Sequence, residues 1–283
     1  MKTWAFILHL RMHYQLFILS GGYLLGGLLT EAPDWRQFLL QFLNVHLLLF
    51  GGATAFNSYW DKDEGPVGGL RHPPAMERWM RDASILIQLA GLGWAVTAGA
   101  YFTAVYIISL ILFWLYSTPL ARWKGRPLLS MAAIGISTGL NSLLMGALAA
   151  GAEWNGLLVI AGSGTTLILL SLYPVSQIFQ MKADRNRGDS TFALIYGLRG
   201  IRFFFQGTFL PGVILITFSL DHSSRMPAIL FLTAGTVLWV LLSFRIYRLK
   251  GEESEYRAVM KIKYVASLSF VTFIVISLLL KHA

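Results

Sequence analysis

Residues 57–64 form a short polar segment at the end of a long apolar stretch. Asn57 and Asp61 are four positions apart, so on a continuing helix they project from one face, and Glu64 follows on that face one turn later. The pair Gly65 and Pro66 then ends the helix. Oxygen ligands without histidine or cysteine suit a hard cation such as Mg²⁺, with a diphosphate as co-ligand. Alternatively, these are ordinary polar groups at a helix end.

Residues 180–189 repeat this arrangement. Gln180 and Asp184 again stand four positions apart at the end of an apolar stretch, four predicted spans after Asp61. Two oxygen-rich helix ends separated in this way predict two similar helical bundles that face one cavity. Asp189 lies outside the four-residue spacing, and it is either a solvated loop residue or a further ligand.

The composition indicates a polytopic membrane protein. Of 283 residues, 55% are hydrophobic and 13% are charged, whereas about 25% of the residues of a soluble domain are charged. The chain has no cysteine, which excludes disulfides, thiolate metal sites and cysteine nucleophiles. The net charge of +9 is explained by membrane topology and anionic headgroups, and no motif indicates nucleic-acid binding.

The apolar stretches predict an all-α fold of nine transmembrane helices around a central cavity. A span needs about 20 mostly apolar residues. The nine stretches are residues 13–30, 37–57, 83–100, 102–118, 129–150, 156–178, 203–219, 227–245 and 264–281.

The basic residues predict the orientation. With nine spans, all of the 23 Lys and Arg residues except Arg36, Arg225 and Lys281 lie on one side of the membrane. Cytoplasmic loops hold the positive excess. We therefore expect the amino terminus and both polar segments on the cytoplasmic side, and the carboxyl terminus on the opposite side.

The order of the motifs resembles that of the UbiA superfamily of intramembrane prenyltransferases. Asn57-x-x-x-Asp61 matches the start of the first aspartate-rich motif of that family, and the stretch from Asp184 through Gly188 to Thr191 is similar to the second. The loop at residues 116–124, Tyr-Ser-Thr-Pro-Leu-Ala-Arg-Trp-Lys, is similar to the basic loop after the fourth helix. The resemblance covers nearly the whole chain, which we interpret as one domain at 1–283 with halves at about 1–150 and 151–283.

The sequence departs from the family pattern at two positions. Gly65 stands where the first motif has its third aspartate, and Gln180 stands where the second motif has its first. Glu64 is the expected substitute for the missing carboxylate, and Asp63 is the alternative.

The resemblance implies Mg²⁺-dependent prenyl transfer within the lipid bilayer, from an isoprenyl diphosphate to a hydrophobic or aromatic acceptor such as a quinone precursor. Asp61 and Asp184 are the implied catalytic residues, and the implied metal ligands are Asn57, Asp61, Glu64 and Asp184. The implied substrate contacts are Arg71, Tyr116, Arg122, Lys124, Gln180 and Arg187.

Two other functional classes share some of these features. A terpene cyclase, or a prenyltransferase with a lipid-like acceptor, would use the same ionisation chemistry. A membrane carrier fits less well, because carriers usually place charged sites near the middle of the membrane.

Overall fold

The computed structural model describes residues 2–62 and 65–281, and Asp63 and Glu64 therefore lie outside the described residues. Over these ranges the fold is all-α, and the β pairing consists of one isolated antiparallel bridge between Val67 and Leu70. The helices are, in chain order, α1 (Lys2–Leu10), α2 (Met12–Tyr14), α3 (Gly21–Leu29), α4 (Trp35–Leu43), α5 (Gly51–Asp61), α6 (Arg78–Ala95), α7 (Ala100–Ser117), α8 (Pro127–Ile134), α9 (Asn141–Ala149), α10 (Gly156–Leu172), α11 (Met181–Asn186), α12 (Phe192–Asp221), α13 (Arg225–Tyr247) and α14 (Tyr256–Lys281).

The protein is an integral membrane protein with several spans. Within the described ranges, seven helical segments are long and apolar enough to cross a membrane: Trp35–Asp61, Ala100–Ser117, Pro127–Ala149, Gly156–Asn186, Phe192–Asp221, Arg225–Tyr247 and Glu253–Lys281. Each of them overlaps a predicted span.

The two other predicted spans fall on shorter or less apolar helices. The stretch 13–30 is divided among α2, a π-helical turn and α3, and the stretch 83–100 falls mainly on α6. Helix α6 begins with the charged side chains of Arg78, Arg81 and Asp82. The count of nine spans therefore remains a prediction.

In the described part of the chain, three π-helical segments interrupt the apolar helices. Gln15–Leu19 joins α2 to α3, Asn44–Phe50 joins α4 to α5, and Gly135–Leu140 joins α8 to α9. Such wide turns are rare and occur frequently at functional sites. All three segments contribute to the cavity described below, through Ile18, Phe50 and Thr138, respectively.

Helices α3 and α9 cross in direct backbone contact. A Cβ on Gly26 would overlap the carbonyl oxygen of Leu143, and a Cβ on Gly146 would overlap the carbonyl oxygen of Tyr23. Small residues permit this approach in membrane helices. The crossing packs α3 closely against α9.

The outward faces of the later helices are apolar. Phe203, Phe244 and Leu280 are 80%, 67% and 76% exposed, respectively. In water, so many large exposed hydrophobic side chains would promote association. They are suited to contact with lipid.

Candidate active site

A cavity of ≈ 280 Å³ lies where the two polar segments meet. Its lining includes seven of the residues that the sequence singles out: Asn57, Asp61, Tyr116, Lys124, Gln180, Asp184 and Arg187. The remaining walls are largely apolar, with Phe50, Phe113 and Phe270 among their side chains. The cavity thus combines three carboxylates, those of Asp61, Asp184 and Asp189, and several cations with a hydrophobic enclosure.

The first polar segment reaches the cavity at the end of α5. Asn57 Nδ2 donates to Asp61 Oδ2 at 2.9 Å, and Ser117 Oγ donates to Asn57 Oδ1 at 3.1 Å. The expected spacing thus places the amide and the carboxylate side by side. The hydrogen bond from Ser117 fixes the amide so that its nitrogen faces Asp61.

The sequence predicts that this helix continues past Asp61, but in the structure it does not. It ends there, because Lys62 takes a left-handed conformation with φ of 49° and closes the last turn with a hydrogen bond from its N–H to the carbonyl of Ser58. The argument that placed Glu64 on the same helical face is therefore wrong. Glu64 itself, and its alternative Asp63, lie outside the described residues.

Lys124 enters the cavity from the loop after α7 and forms an ion pair with Asp61. Their side chains are only 9% and 7% exposed, respectively. In such a site the attraction between the charges is much stronger than in water, although the ions must also be desolvated. The pair places a cation directly beside the carboxylate of the first segment.

The second polar segment is built differently from the first. Pro174 begins a 3₁₀ segment, Pro174–Gln180, and α11 starts only at Met181. Gln180 and Asp184 therefore stand on either side of a junction between two helix types, and not on one continuous α-helix. Both still line the cavity.

Asp184 is buried and paired with a cation. Arg187 Nη2 donates to its Oδ1 at 2.5 Å. The Asp184 side chain is only 7% exposed. Gln180 Nε2 donates to the carbonyl of Pro66 at 3.4 Å, and this contact connects the second segment to the loop after the first.

Asp189 is a buried partner of two arginines. Arg122 Nε and Nη2 donate to its two carboxylate oxygens at 2.8 and 3.0 Å, and Arg187 Nε lies 3.4 Å from Oδ2. The N–H of Ser190 also donates to the carbonyl of Gly125 at 3.0 Å. Asp189 therefore joins the loop that carries Lys124 to the second polar segment, which its position in the sequence does not indicate.

Two basic residues that the sequence predicts to contact the substrate do not line the cavity. Arg71 is exposed, and neither Arg71 nor Arg122 is among the residues that line the cavity. Arg122 is engaged by Asp189. We therefore assign Arg122 to the positioning of its loop and make no assignment of Arg71 to the cavity.

Tyr116 faces a second tyrosine that the sequence does not single out as functional. The hydroxyl oxygens of Tyr116 and Tyr173 are 3.0 Å apart, and both residues line the cavity. The interfacial role that is common for membrane tyrosines therefore does not describe Tyr116. The two rings provide polarisable walls near Asp61 and Asp184.

The donor atoms fit a hard cation with few protein ligands. Among the described residues, no group of three or more His, Cys, Asp or Glu side chains lies close enough to hold a metal ion. Asp61 and Asp184 nevertheless reach one cavity from two segments, with the Asn57 amide beside the first. Mg²⁺ usually binds one or two carboxylates, waters and substrate phosphates. The residues present therefore fit Mg²⁺ together with a diphosphate.

The polar residues of the lining that the sequence analysis does not single out include Arg11, Tyr14 and Lys263. Arg11 has a left-handed φ of 49°, and its guanidinium donates to Ser58 Oγ at 2.6 Å. Lys263 donates to the hydroxyl of Tyr14. From the sequence alone, Arg11 and Lys263 are interpreted as topology residues, because basic residues near span ends set orientation.

Solved structures of UbiA homologues share this fold. One from Archaeoglobus fulgidus, bound to GPP and Mg²⁺, is 15% identical, with 96% of this chain and 99% of that chain covered and a TM-score of 0.74. The same homologue bound to DMAPP and Mg²⁺ is 14% identical, with 94% and 99% covered and a TM-score of 0.71. An apo structure from Aeropyrum pernix K1 is 16% identical, with 96% and 99% covered and a TM-score of 0.69.

These identities are low, so the structural matches establish the fold and not the reaction. No curated protein sequence matches the chain. The profile of the UbiA prenyltransferase family matches residues 16–265, which is most of the sequence. The chain therefore belongs to the UbiA prenyltransferase family.

Proposed function

We propose that the protein transfers a prenyl group from an isoprenyl diphosphate to an aromatic or quinone-precursor acceptor within the membrane, with Mg²⁺ as cofactor. The observation that carries this proposal is the convergence of Asp61 and Asp184, each paired with a cation, on one apolar-walled cavity. The structures of the Archaeoglobus fulgidus homologue with GPP or DMAPP and Mg²⁺ support the same chemistry.

Asn57, Asp61, Glu64 and Asp184 are the proposed ligands of Mg²⁺. When bound, the metal would neutralise charge on the diphosphate leaving group. Lys124 and Arg187 line the same part of the cavity and would contact the diphosphate oxygens directly. Gln180 adds an amide at the edge of this group. Preorganised cations of this kind stabilise negative charge as it develops.

The reaction breaks one bond and forms another. The carbon–oxygen bond of the prenyl diphosphate breaks, and its electron pair leaves on the diphosphate oxygen. The resulting allylic cation is attacked by a ring carbon of the acceptor, which forms the new carbon–carbon bond. The ring then loses its proton to water or to the released diphosphate, and this restores aromaticity.

The walls of the cavity would protect the allylic cation. Phe50, Phe113 and Phe270 limit the access of water, which would otherwise convert the cation to an alcohol. Tyr116 and Tyr173 present electron-rich rings, and aromatic faces attract cations. The acceptor has to enter the same enclosure.

The test is incubation of the purified protein with geranyl or dimethylallyl diphosphate, Mg²⁺ and a panel of acceptors. We expect release of diphosphate and a product whose mass equals the acceptor plus the prenyl group minus one hydrogen. A hydrocarbon product formed without an acceptor would favour terpene cyclisation instead. Intact diphosphate with every acceptor would overturn the proposal.

A further inference from the structure

A groove runs along the outside of the bundle between α12 and α13. It is lined by Gln206, Trp239, Val240, Ser243, Phe244 and Tyr247. These residues are distinct from those that line the central cavity. More than half of the surface of Phe244 and of Tyr247 is exposed, so the groove opens toward the lipid that surrounds the spans.

The groove changes from charged to apolar along its length. At one end the Arg202 guanidinium donates to the carbonyls of Tyr247 and Leu249 at 3.1 and 3.0 Å. One helical turn farther along, about 6 Å away, Gln206 Nε2 donates to Ser243 Oγ at 2.9 Å. Beyond this pair the wall on α13 is apolar. The charged end belongs to the part of α12 that follows the second polar segment of the candidate active site.

Two arginines at the charged end lack a carboxylate partner. Arg199 and Arg202 are one turn apart and share a helical face with Gln206. Arg199 is exposed. Neither arginine forms an ion pair with an acidic side chain in the described part of the chain. Their positive charge is therefore uncompensated by the protein.

The acidic residues of the neighbouring segments are engaged elsewhere or face solvent. Before α12, Asp184 and Asp189 are paired with arginines of the candidate active site. After α13, Glu255 accepts hydrogen bonds from three backbone N–H groups of its own turn, and Glu252 completes this capping box. Glu253 is exposed and forms no ion pair with the described residues.

The amide of Gln206 has hydrogen-bonding capacity that the protein does not use. A glutamine amide offers two N–H donors and a carbonyl acceptor. One N–H is given to Ser243, and the amide has no other hydrogen bond with the described residues. A partly unsatisfied amide is costly in hydrocarbon. A ligand that brought a polar group one turn below the arginines would remove this cost.

The order of these groups corresponds to the parts of a glycerophospholipid: phosphate, ester linkage and acyl chain. From this charge complementarity we infer that the groove binds an anionic phospholipid. Its phosphate would lie at Arg199 and Arg202, an ester carbonyl would accept from Gln206, and an acyl chain would pack along Trp239 and Phe244. Basic pockets between membrane helices are suited to anionic head groups. The site is separate from the central cavity and does not depend on prenyl transfer.

The test is a lipid titration of the delipidated protein in detergent, followed by native mass spectrometry. The two ligands are phosphatidylglycerol and phosphatidylcholine with identical acyl chains, which differ in net charge. We expect the first phosphatidylglycerol to bind about thirtyfold more tightly, the product of about fivefold for each arginine. Glycerol phosphate without acyl chains is the third ligand, and it should bind far more weakly.

The variants assign this preference to the groove. Arg199→Gln should lower it about fivefold with an unchanged thermal unfolding midpoint, because Arg199 makes no hydrogen bond or ion pair with the described residues. Arg202→Gln should lower it similarly, with some loss of thermal stability, because Arg202 also holds the end of α13. Gln206→Leu should weaken both lipids alike, by about two- to tenfold, because both contain the ester.

Arg245→Gln is the matched control. Arg245 is also exposed, but it stands two positions before Tyr247 and therefore about 200° around α13. Its replacement should change the preference less than about twofold.

Four results would overturn the inference, and each would leave the proposed prenyl transfer intact. The first is equal affinity of the wild type for the two lipids. The second is an Arg199→Gln variant that keeps the full preference, or an Arg245→Gln variant that loses it. The third is glycerol phosphate that binds as tightly as the lipid, which would indicate a site for a free anion. The fourth is a lipid-free dimer, in which a second copy of the chain would cover the groove.

Discussion

Lys124 and Asp61 form a buried ion pair at the carboxylate that we assign to the metal. Because Asn57 donates to the other oxygen of the carboxylate, a Mg²⁺ ion held by Asp61 would compete with one of these two contacts or share an oxygen with it. Lys124 lines the cavity that an incoming diphosphate would enter. The same lysine would then stabilise the resting cavity and the leaving group in turn.

The first prediction concerns Lys124→Met, which removes this cation and keeps an apolar chain of similar length. We expect kcat to fall by about 10²–10³, the usual cost of one lost electrostatic contact in a transition state. The Mg²⁺ concentration that gives half-maximal activity should decrease, because the competing cation is gone. Both quantities come from a magnesium titration of steady-state turnover.

Lys182→Met is the matched control, since Lys182 belongs to the second polar segment but is exposed. Its turnover should stay close to wild type. A Lys124→Met variant with normal kcat would contradict the proposed role of Lys124.

The second prediction treats Asp189 as a positioning residue. Asp189→Ala and Arg122→Ala each break the two-point contact between the loop after α7 and the second polar segment. A double-mutant cycle on the free energy of unfolding should give a coupling of about 1–3 kcal/mol, as expected for groups in direct contact. Additive effects of the two changes would show that the contact is energetically unimportant.

The magnesium dependence distinguishes this role from that of a metal ligand. Asp189→Asn should leave the Mg²⁺ concentration for half-maximal activity within about twofold of wild type, because no metal ligand is lost. A large increase, of the size found for Asp61→Asn, would make Asp189 a ligand.

The membrane spans could be predicted because bilayer thickness fixes how long an apolar stretch must be. The convergence of Asp61 and Asp184 could be predicted as well, because both end apolar stretches on the same predicted side. The early end of α5 could not be predicted from the sequence. It depends on the left-handed conformation of Lys62, and no residue type near it distinguishes a turn at Asp61 from one at Gly65.

The ion pairs also could not be predicted from the sequence, but for a different reason. Lys124 and Asp61 are distant in the chain, as are Arg122 and Asp189, so no local spacing links the partners. A basic residue near the end of a span has similar neighbours in the sequence whether it sets membrane topology or enters a cavity. Lys263 shows this ambiguity, and only the packing of α14 resolves it.

The third prediction tests the orientation and the number of spans. A tag before Met1 should be protected from reagents added on the non-cytoplasmic side, and a tag after Ala283 should be accessible there. The reason is the concentration of Lys and Arg on one side when nine spans are assigned. Labelling of both tags from the same side would require an even number of spans. The control is a lysed sample, in which both tags should react.

The last prediction concerns the metal and the carboxylate expected to replace the one missing at Gly65. EDTA should abolish turnover and added Mg²⁺ should restore it, because the proposed ligands are all oxygen atoms. Asp61→Asn and Asp184→Asn should each lower kcat by about 10²–10³ and raise the Mg²⁺ requirement. If Glu64 completes the site, Glu64→Gln should behave in the same way, and Asp63→Asn should stay near wild type. The reverse result would assign the ligand to Asp63, whereas full activity in EDTA would remove the metal from the mechanism.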